Sequence, residues 1–147
     1  MATARDLIKN KENSSIFLVT SGSTAFDAMK LMAKHNVGAL LIKGTDGNIK
    51  GIVSERDFIL KLEVLGRLPQ ETPIGEIMTS NVLYVESTQT LEDCMALMNE
   101  KGVRHLPVFE GATLMGMISI RDVLREIIAE QKSMISHLEH YIRGGAQ

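Results

Sequence analysis

An internal repeat is the feature that most constrains this chain. Residues 24–42 align with residues 90–108 at a shift of 66 positions, and seven pairs are identical, beginning with Thr24 and Thr90. After a one-residue gap, residues 51–57 align with residues 116–122 at a shift of 65, with four further identities. Identities that recur in the same order indicate a tandem duplication of a unit of about 50–60 residues.

Each copy has the pattern of a β-α-β-β-α unit. After a short strand, Thr24 or Thr90 precedes apolar residues at i, i+3, i+4 and i+7, the spacing of a helix with one buried face. Asn36 and Gly102, which tolerate the left-handed conformation that ends helices, follow at matching places. The predicted strands are 16–20, 39–42 and 50–53 in the first copy, and 82–86, 106–109 and 114–118 in the second.

A second helix completes each copy and differs in length between them. It is predicted to run from Asp57 to near Gly66 in the first copy, and to start at Asp122 and run much farther in the second. The predicted fold class is therefore α/β (α+β), with two tandem repeats and a long C-terminal helix.

The repeated motif Gly-x-x-Ser-x-Arg-Asp carries the chemistry that the sequence offers. Each copy lies at a strand-to-helix transition, where unpaired N–H groups and the helix dipole favour an anion. Glycine lets a ligand approach the backbone, serine can donate to a phosphate oxygen, and arginine can add a charge-assisted contact. The aspartate can accept hydrogen bonds from the two hydroxyls of a ribose. The predicted site residues are Ser54, Arg56 and Asp57 in the first copy, and Ser119, Arg121 and Asp122 in the second.

The same motif has a purely structural interpretation. A serine or an aspartate at the start of a helix is most often a cap that binds nothing. Retention of Gly, Ser, Arg and Asp in both copies goes beyond what capping requires, so both interpretations stay open.

Composition excludes several other classes of function. Sixteen Lys and Arg against 18 Asp and Glu leave a net charge of −2, which does not favour nucleic acid. No apolar run reaches the roughly 18 residues of a membrane helix, and the N-terminus lacks an apolar signal core. One cysteine, Cys94, cannot form an internal disulfide, which suits a cytoplasmic location. No nucleophile–base, paired-carboxylate or metal-ligand cluster stands out, so neither an enzyme nor a metal site is expected.

These features together resemble a known regulatory family. The repeated unit, its Gly-x-x-Ser-x-Arg-Asp ending, Val103-Arg-His-Leu-Pro-Val108 and Ile74-Gly-Glu-Ile-Met-Thr79 resemble a tandem pair of cystathionine β-synthase (CBS) domains, a Bateman module. The resemblance implies two repeats packed about a pseudo-two-fold axis in a stand-alone CBS-domain protein. The expected boundaries are a first CBS domain at 8–68, a linker at 69–81, a second CBS domain at 76–135, and a C-terminal helix extension and tail at 136–147.

The resemblance implies non-catalytic, regulatory binding of an adenosine-containing ligand: AMP, ADP, ATP, NAD or S-adenosylmethionine. It assigns the ribose to Asp57 and Asp122, and phosphate to Ser54 and Ser119. It leaves open which ligand binds and whether Mg²⁺ accompanies it. Family members often place the adenine against the other repeat. The nucleotide of Asp122 would then face Ser23, Ala28, Val37 and Gly38, and that of Asp57 would face Val103 and Arg104.

The two expected pockets differ in charge. Gly38-Ala39 in the first copy stands where the second copy has Arg104-His105. This difference leaves open whether both pockets are occupied.

The apolar pattern of the C-terminal helix predicts self-association. Its apolar residues recur at a seven-residue period, with Gln131 filling one step, at Leu124, Ile128, Ile135, Leu138 and Ile142. Paired CBS domains commonly associate two-fold, so a homodimer is expected, together with a regulated protein of unknown identity. The alternatives are a helix that folds back over its own repeats, a structural dimerisation module with vestigial pockets and, least favoured, an enzyme that acts on the nucleotide.

Overall fold

The computed structural model of the chain describes residues 1–11 and 16–145. The chain forms two units, each built around one repeat. The first-repeat unit is Ser15–Leu83, and the second-repeat unit is Met1–Ser14 together with Tyr84–Gln147. The last two residues of the predicted tail, 146 and 147, lie outside the described residues.

The first-repeat unit contains a three-stranded sheet in the order β1-β2-β3, with β1 parallel to β2 and β2 antiparallel to β3. A β-α-β crossover links the parallel pair, and a hairpin links the antiparallel pair. The unit's elements are β1 (Leu18–Thr20), α2 (Ala25–His35), β2 (Ala39–Lys43), β3 (Ile49–Ser54) and α3 (Glu55–Phe58), which continues as a π-helical turn, Ile59–Glu63.

The second-repeat unit has the same sheet, in the order β4-β5-β6 with the same directions. Its elements are α1 (Ala4–Asn10), β4 (Val85–Glu86), α4 (Leu91–Lys101), β5 (His105–Glu110), β6 (Thr113–Ser119) and α5 (Ile120–Gly145). The predicted β-α-β-β-α order is thus confirmed in both repeats. The first strand of each repeat is shorter than predicted.

Local chemistry fixes the helix ends where the sequence predicts them. Thr24 and Thr90 accept hydrogen bonds at their side chains from the N–H groups of Asp27 and Asp93, at 3.2 and 3.1 Å. Asn36 ends α2 with φ +53°, and Gly102 ends α4 with φ +67°. Both are in the left-handed region, as predicted.

The second helix of each repeat begins two residues earlier than predicted. The helices start at Glu55 and Ile120, because the preceding serines are N-caps and the aspartates occupy the third helical position. Placing the start at Asp57 and Asp122 was therefore wrong by half a turn.

The N-terminal segment forms a helix that was not predicted from the sequence. Thr3 and Asp6 form a capping box, and Ala4, Leu7 and Ile8 are buried. Ala4 N–H donates to the Gln89 carbonyl at 2.8 Å, and Leu91 N–H donates to the Ala2 carbonyl at 3.2 Å. Helix α1 therefore belongs structurally with the second repeat.

The segment predicted as the end of the linker has the matching role in the first-repeat unit. Ile74 N–H donates to the Ser23 carbonyl at 2.9 Å, and Ala25 N–H donates to the Thr72 carbonyl at 2.8 Å. Ile52 and Thr79 then exchange backbone hydrogen bonds, which places this segment beside β3. Each repeat is therefore completed by a segment that lies outside the predicted repeat.

The core of the first-repeat unit is aliphatic. Its buried cluster has α2 on one side and the sheet and residues 74–77 on the others, and it includes Ala25, Ala28, Met32, Leu40, Ile42, Val53, Ile74 and Ile77. In the second-repeat unit the fully buried side chains occupy equivalent places: Val85, Leu91, Cys94, Leu106, Val108, Ile118 and Val123.

Helix α5 extends 26 residues, about 39 Å at 1.5 Å per residue. The apolar residues predicted to form its stripe are all exposed, from 44% at Leu124 to 71% at Ile142. None of the helices in the described part of the chain is both long and apolar enough to cross a membrane.

Candidate ligand-binding site

In the first-repeat unit, the motif forms a hydrogen-bonded turn between β3 and α3. Ser54 donates to Oδ2 of Asp57 twice, from its backbone N–H at 2.8 Å and from its hydroxyl at 3.2 Å. Nζ of Lys61 lies 3.2 Å from the other carboxylate oxygen, Oδ1, and donates to the Ile77 carbonyl at 3.0 Å. Asp57 is half-buried, and both of its carboxylate oxygens have partners in its own unit.

In the second-repeat unit, the motif forms the same turn with different partners. Ser119 N–H donates to Oδ2 of Asp122 at 2.9 Å, and Asp122 N–H donates to the Ser119 hydroxyl at 3.1 Å. Nζ of Lys11 lies 2.9 Å from the same Oδ2 and donates to the Met117 carbonyl at 2.9 Å. The capping interpretation is therefore correct as geometry in both repeats, and each capping carboxylate also holds an ammonium group.

The surroundings of Asp122 keep it ionised. Burial alone would raise its pKa, but the Ser119 N–H and the Lys11 ammonium outweigh that effect and hold the pKa below its ordinary value. An ionised carboxylate is an acceptor only, which is the state that a hydroxyl-donating ligand requires.

The first backbone N–H groups of both helices are already bonded. Glu55 N–H donates to the Gly38 carbonyl at 3.2 Å, and Ile120 N–H donates to the Arg104 carbonyl at 2.8 Å. The expectation of unpaired N–H groups is wrong at these positions, because the turn before β2 or β5 supplies carbonyl partners.

The motif glycines have a packing role that the sequence did not reveal. A Cβ at Gly51 would lie 2.5 Å from Sδ of Met78 and 3.0 Å from the Thr79 carbonyl oxygen. A Cβ at Gly116 would lie 2.7 Å from Cδ1 of Ile8. The chain's own side chains, rather than a ligand, approach the backbone at both glycines.

Other predicted site residues are distributed over the surface and core of their own units. Arg56, Arg104 and Arg121 are exposed, while Ser23, Val37, Gly38 and Val103 are half-buried. Ala28 is completely buried in the first-repeat core, so its methyl group presents no surface to a ligand. Arg121 lines a groove along α5 with Leu124, Arg125 and Ile128. In the first-repeat unit, the Ser54–Asp57 turn lies next to Gly38, whose carbonyl accepts from Glu55 N–H. In the second-repeat unit, the Ser119–Asp122 turn lies next to Arg104, whose carbonyl accepts from Ile120 N–H.

Sequence reasoning missed the two lysines. Lys61 follows Asp57 by four residues on a predicted helix, so the spacing of a helical ion pair was readable. Lys11 is far from Asp122 in sequence and carries no local signal. The lysines occupy non-equivalent positions in the two repeats, since the shift of 65 pairs Lys61 with Glu126.

The described part of the chain contains neither a thiolate nucleophile nor a cluster of metal-ligating side chains. Burial and the nearby Asp93 carboxylate raise the pKa of Cys94 to about 11, which leaves it a thiol at neutral pH. Among the residues that the structure describes, no three His, Cys, Asp or Glu side chains are grouped to hold a metal ion.

Comparison with known proteins decides the family. The profile of the CBS domain matches residues 4–64 and 74–129. The chain belongs to the CBS-domain family. Pairs of CBS domains are usually regulatory and ligand-binding, so the resemblance noted from the sequence is confirmed at that level.

Relatives and solved structures agree with this assignment. The chain is 36% identical over 151 residues to CBS domain-containing protein CBSX3, mitochondrial, of Arabidopsis thaliana, covering 97% of this chain and 73% of that protein. A solved CBS-domain protein of Burkholderia ambifaria MC40-6 superposes with a TM-score of 0.84 at 42% identity, covering 88% of this chain and 96% of the other. Hypoxic Response Protein I, solved with two coordinated zinc ions, superposes with a TM-score of 0.69 at 29% identity, covering 84% and 98%.

Proposed function

We propose that this CBS-domain pair is a non-catalytic regulatory module that binds an adenosine-containing ligand: AMP, ADP, ATP, NAD or S-adenosylmethionine. Asp57 with Ser54 and Asp122 with Ser119 receive the ribose and the phosphate. The supporting observation is the pair of half-buried carboxylates, each beside a serine hydroxyl at the same junction in both repeats. Ribose recognition needs such a carboxylate acceptor. The predicted adenine contacts other than the buried Ala28, and a cytoplasmic location, stay part of this proposal.

A thermal-shift panel of the five ligands, with and without Mg²⁺ and with zinc as a comparison ligand, tests the proposal. A ligand that binds only the folded state stabilises it by about 2.7 kcal/mol at a hundredfold excess over Kd. For a chain of this size, that gain raises the midpoint by about 5–10 °C. At least one adenosine ligand is expected to do so without being turned over. No shift from any of the five, or a shift from zinc alone, would refute the proposal.

A structural module with vestigial pockets is the second candidate. It is favoured by the fact that both aspartates already serve as caps and hold lysines. The two functions differ in the behaviour of the double variant Asp57→Ala/Asp122→Ala. Loss of the ligand-induced midpoint shift in this variant supports ligand binding at the motif. A midpoint shift equal to that of the unmodified chain would show that the two aspartates do not bind the ligand.

We also propose that the chain forms a homodimer in which α5 takes part. The distal half of α5 is exposed along its apolar stripe, with Ile135 at 56% and Leu138 at 57%. Contiguous exposed apolar surface of this kind marks an interaction site. Light scattering after size exclusion should give a dimer for the full chain and a smaller mass for a chain ending at Ala129. A full-length monomer at micromolar concentration contradicts the dimer. A truncated chain that is still dimeric shows that the distal half of α5 is not needed for the dimer.

A further inference from the structure

The two motif carboxylates differ in how many acceptor sites remain for a ligand. An ionised carboxylate offers about four lone-pair sites, two on each oxygen. At Asp57, Ser54 fills two sites on Oδ2, and the Lys61 ammonium group lies 3.2 Å from Oδ1 as an ion pair. At Asp122, Ser119 and Lys11 both bond to Oδ2. Among the described residues, Oδ1 of Asp122 therefore has no bonded or paired group, whereas Oδ1 of Asp57 is paired with Lys61.

Both serine hydroxyls are engaged by the aspartate of their own turn. The Ser54 hydroxyl donates to Oδ2 of Asp57 at 3.2 Å, and the Ser119 hydroxyl accepts from Asp122 N–H at 3.1 Å. The difference between the two motifs therefore lies at the carboxylate oxygens. A ribose diol donates two hydrogen bonds, and Oδ1 of Asp122 has two lone pairs to accept them.

We infer that Lys61 is an affinity-determining residue that competes with the ligand for Asp57, so that the Asp122 motif binds an adenosine ligand first. This inference rests on the proposed function and adds to it an order of binding. Both hydroxyls of a ribose can bond to Asp57 only when Lys61 withdraws from Oδ1 or Ser54 rotates away from Oδ2. Lys61 can withdraw because its side chain is 39% exposed and water can solvate its ammonium group.

The exposure of the Lys61–Asp57 ion pair determines how much Lys61 weakens ligand binding at Asp57. The Asp57 side chain is 16% exposed, so the pair is partly screened by solvent. Pairs of this kind contribute little, and displacing one weakens ligand binding by about twofold to fivefold. Removing Lys61 should strengthen binding at Asp57 by the same factor.

The probe that isolates this competition is adenosine, which has the ribose diol and no phosphate for a lysine to attract. Asp122→Asn removes the charge of the second-repeat site, so that binding at Asp57 can be measured alone by NMR titration. Lys61→Met is then compared with Lys50→Met in that background. Lys50 also pairs with an aspartate four residues away, Asp46, at 2.8 Å in the same unit, so its variant controls for lost charge.

We expect amide signals near Asp122 to saturate at lower adenosine concentration than those near Asp57 in the unmodified chain. Lys61→Met should lower Kd at Asp57 twofold to fivefold, and Lys50→Met should leave it unchanged. Tighter binding at Asp57 than at Asp122 overturns the inference, as does an unchanged or higher Kd at Asp57 in Lys61→Met, and both leave the proposed function intact. If neither adenosine nor any of the five ligands perturbs the spectrum, the proposed function itself fails.

Discussion

Replacing Gly51 with alanine tests why the motif begins with glycine. The new Cβ would meet Sδ of Met78 at 2.5 Å and, at 3.0 Å, the carbonyl oxygen of Thr79, which is held in backbone hydrogen bonds to Ile52. Overpacking of this kind costs about 1–3 kcal/mol. Alanine also restricts the unfolded chain, which offsets about 0.4–1 kcal/mol. The midpoints of the two ranges give an expected net loss of about 1.3 kcal/mol in the free energy of unfolding.

The equivalent change at Gly116 should cost less. There the new Cβ would meet only the terminal Cδ1 of Ile8 within 3.0 Å, and the next atoms are 3.5 and 3.7 Å away. Rotation of one terminal methyl group relieves that contact, so Gly116→Ala should lie within about 1 kcal/mol of the unmodified chain.

Urea unfolding of a double-mutant cycle measures the contact directly. Gly51→Ala, Met78→Ala and the double variant should show a coupling of about 1 kcal/mol, because truncating Met78 removes the clash that alanine creates. The packing explanation would be refuted if Gly51→Ala left the free energy of unfolding unchanged, or if the effects of the two single changes were additive. Close approach of a ligand to the backbone would then be the better explanation for this glycine.

Other predictions follow from single contacts. Leu7→Ala should lower the free energy of unfolding by about 2–4 kcal/mol in urea titration, because Leu7 is 6% exposed in α1 of the second-repeat unit. A loss under about 0.5 kcal/mol would contradict the packing of α1 in that core. Asp122 has a depressed pKa in the folded chain, so it stabilises the fold above the ordinary carboxyl pKa of about 4 and loses that contribution as pH falls through the folded value. The stability difference between the unmodified chain and Asp122→Asn should therefore shrink from pH 6 towards about pH 2, and a pH-independent difference would contradict the ionised pair with Lys11. The 2′-deoxy form of any bound nucleotide should bind at least about tenfold more weakly in calorimetry, since it lacks one hydrogen bond to a charged acceptor, and equal affinity would exclude a diol contact.

The elements that the sequence predicted well are those with local causes. Thr24 with Asp27, Asn36 and Gly102 each determine a helix end within a few residues, so their patterns were sufficient. The repeat then supported each assignment twice, because the same pattern recurred at a fixed shift. Boundaries at Asp57 and Asp122 were misplaced because an aspartate at the third helical position resembles a cap in sequence.

What the sequence did not reveal depends on contacts between distant residues. Lys11 reaches Asp122 and Ile8 covers Gly116 only because α1 packs with the second repeat, and no periodicity links segments so far apart. Met78 covers Gly51 in the same way from the segment that was predicted as linker. The motif residues were therefore identified, whereas the partners that engage them were not.

Isothermal titration calorimetry with the double variant Asp57→Asn/Asp122→Asn tests the central claim most directly. Asparagine keeps the size of the side chain and one acceptor oxygen, so the turns at Ser54 and Ser119 should persist while the negative charges are lost. The unmodified chain should bind at least one of the five adenosine ligands, and the double variant should bind that ligand at least about a hundredfold more weakly. Equal binding by both proteins would contradict ribose recognition by the two aspartates.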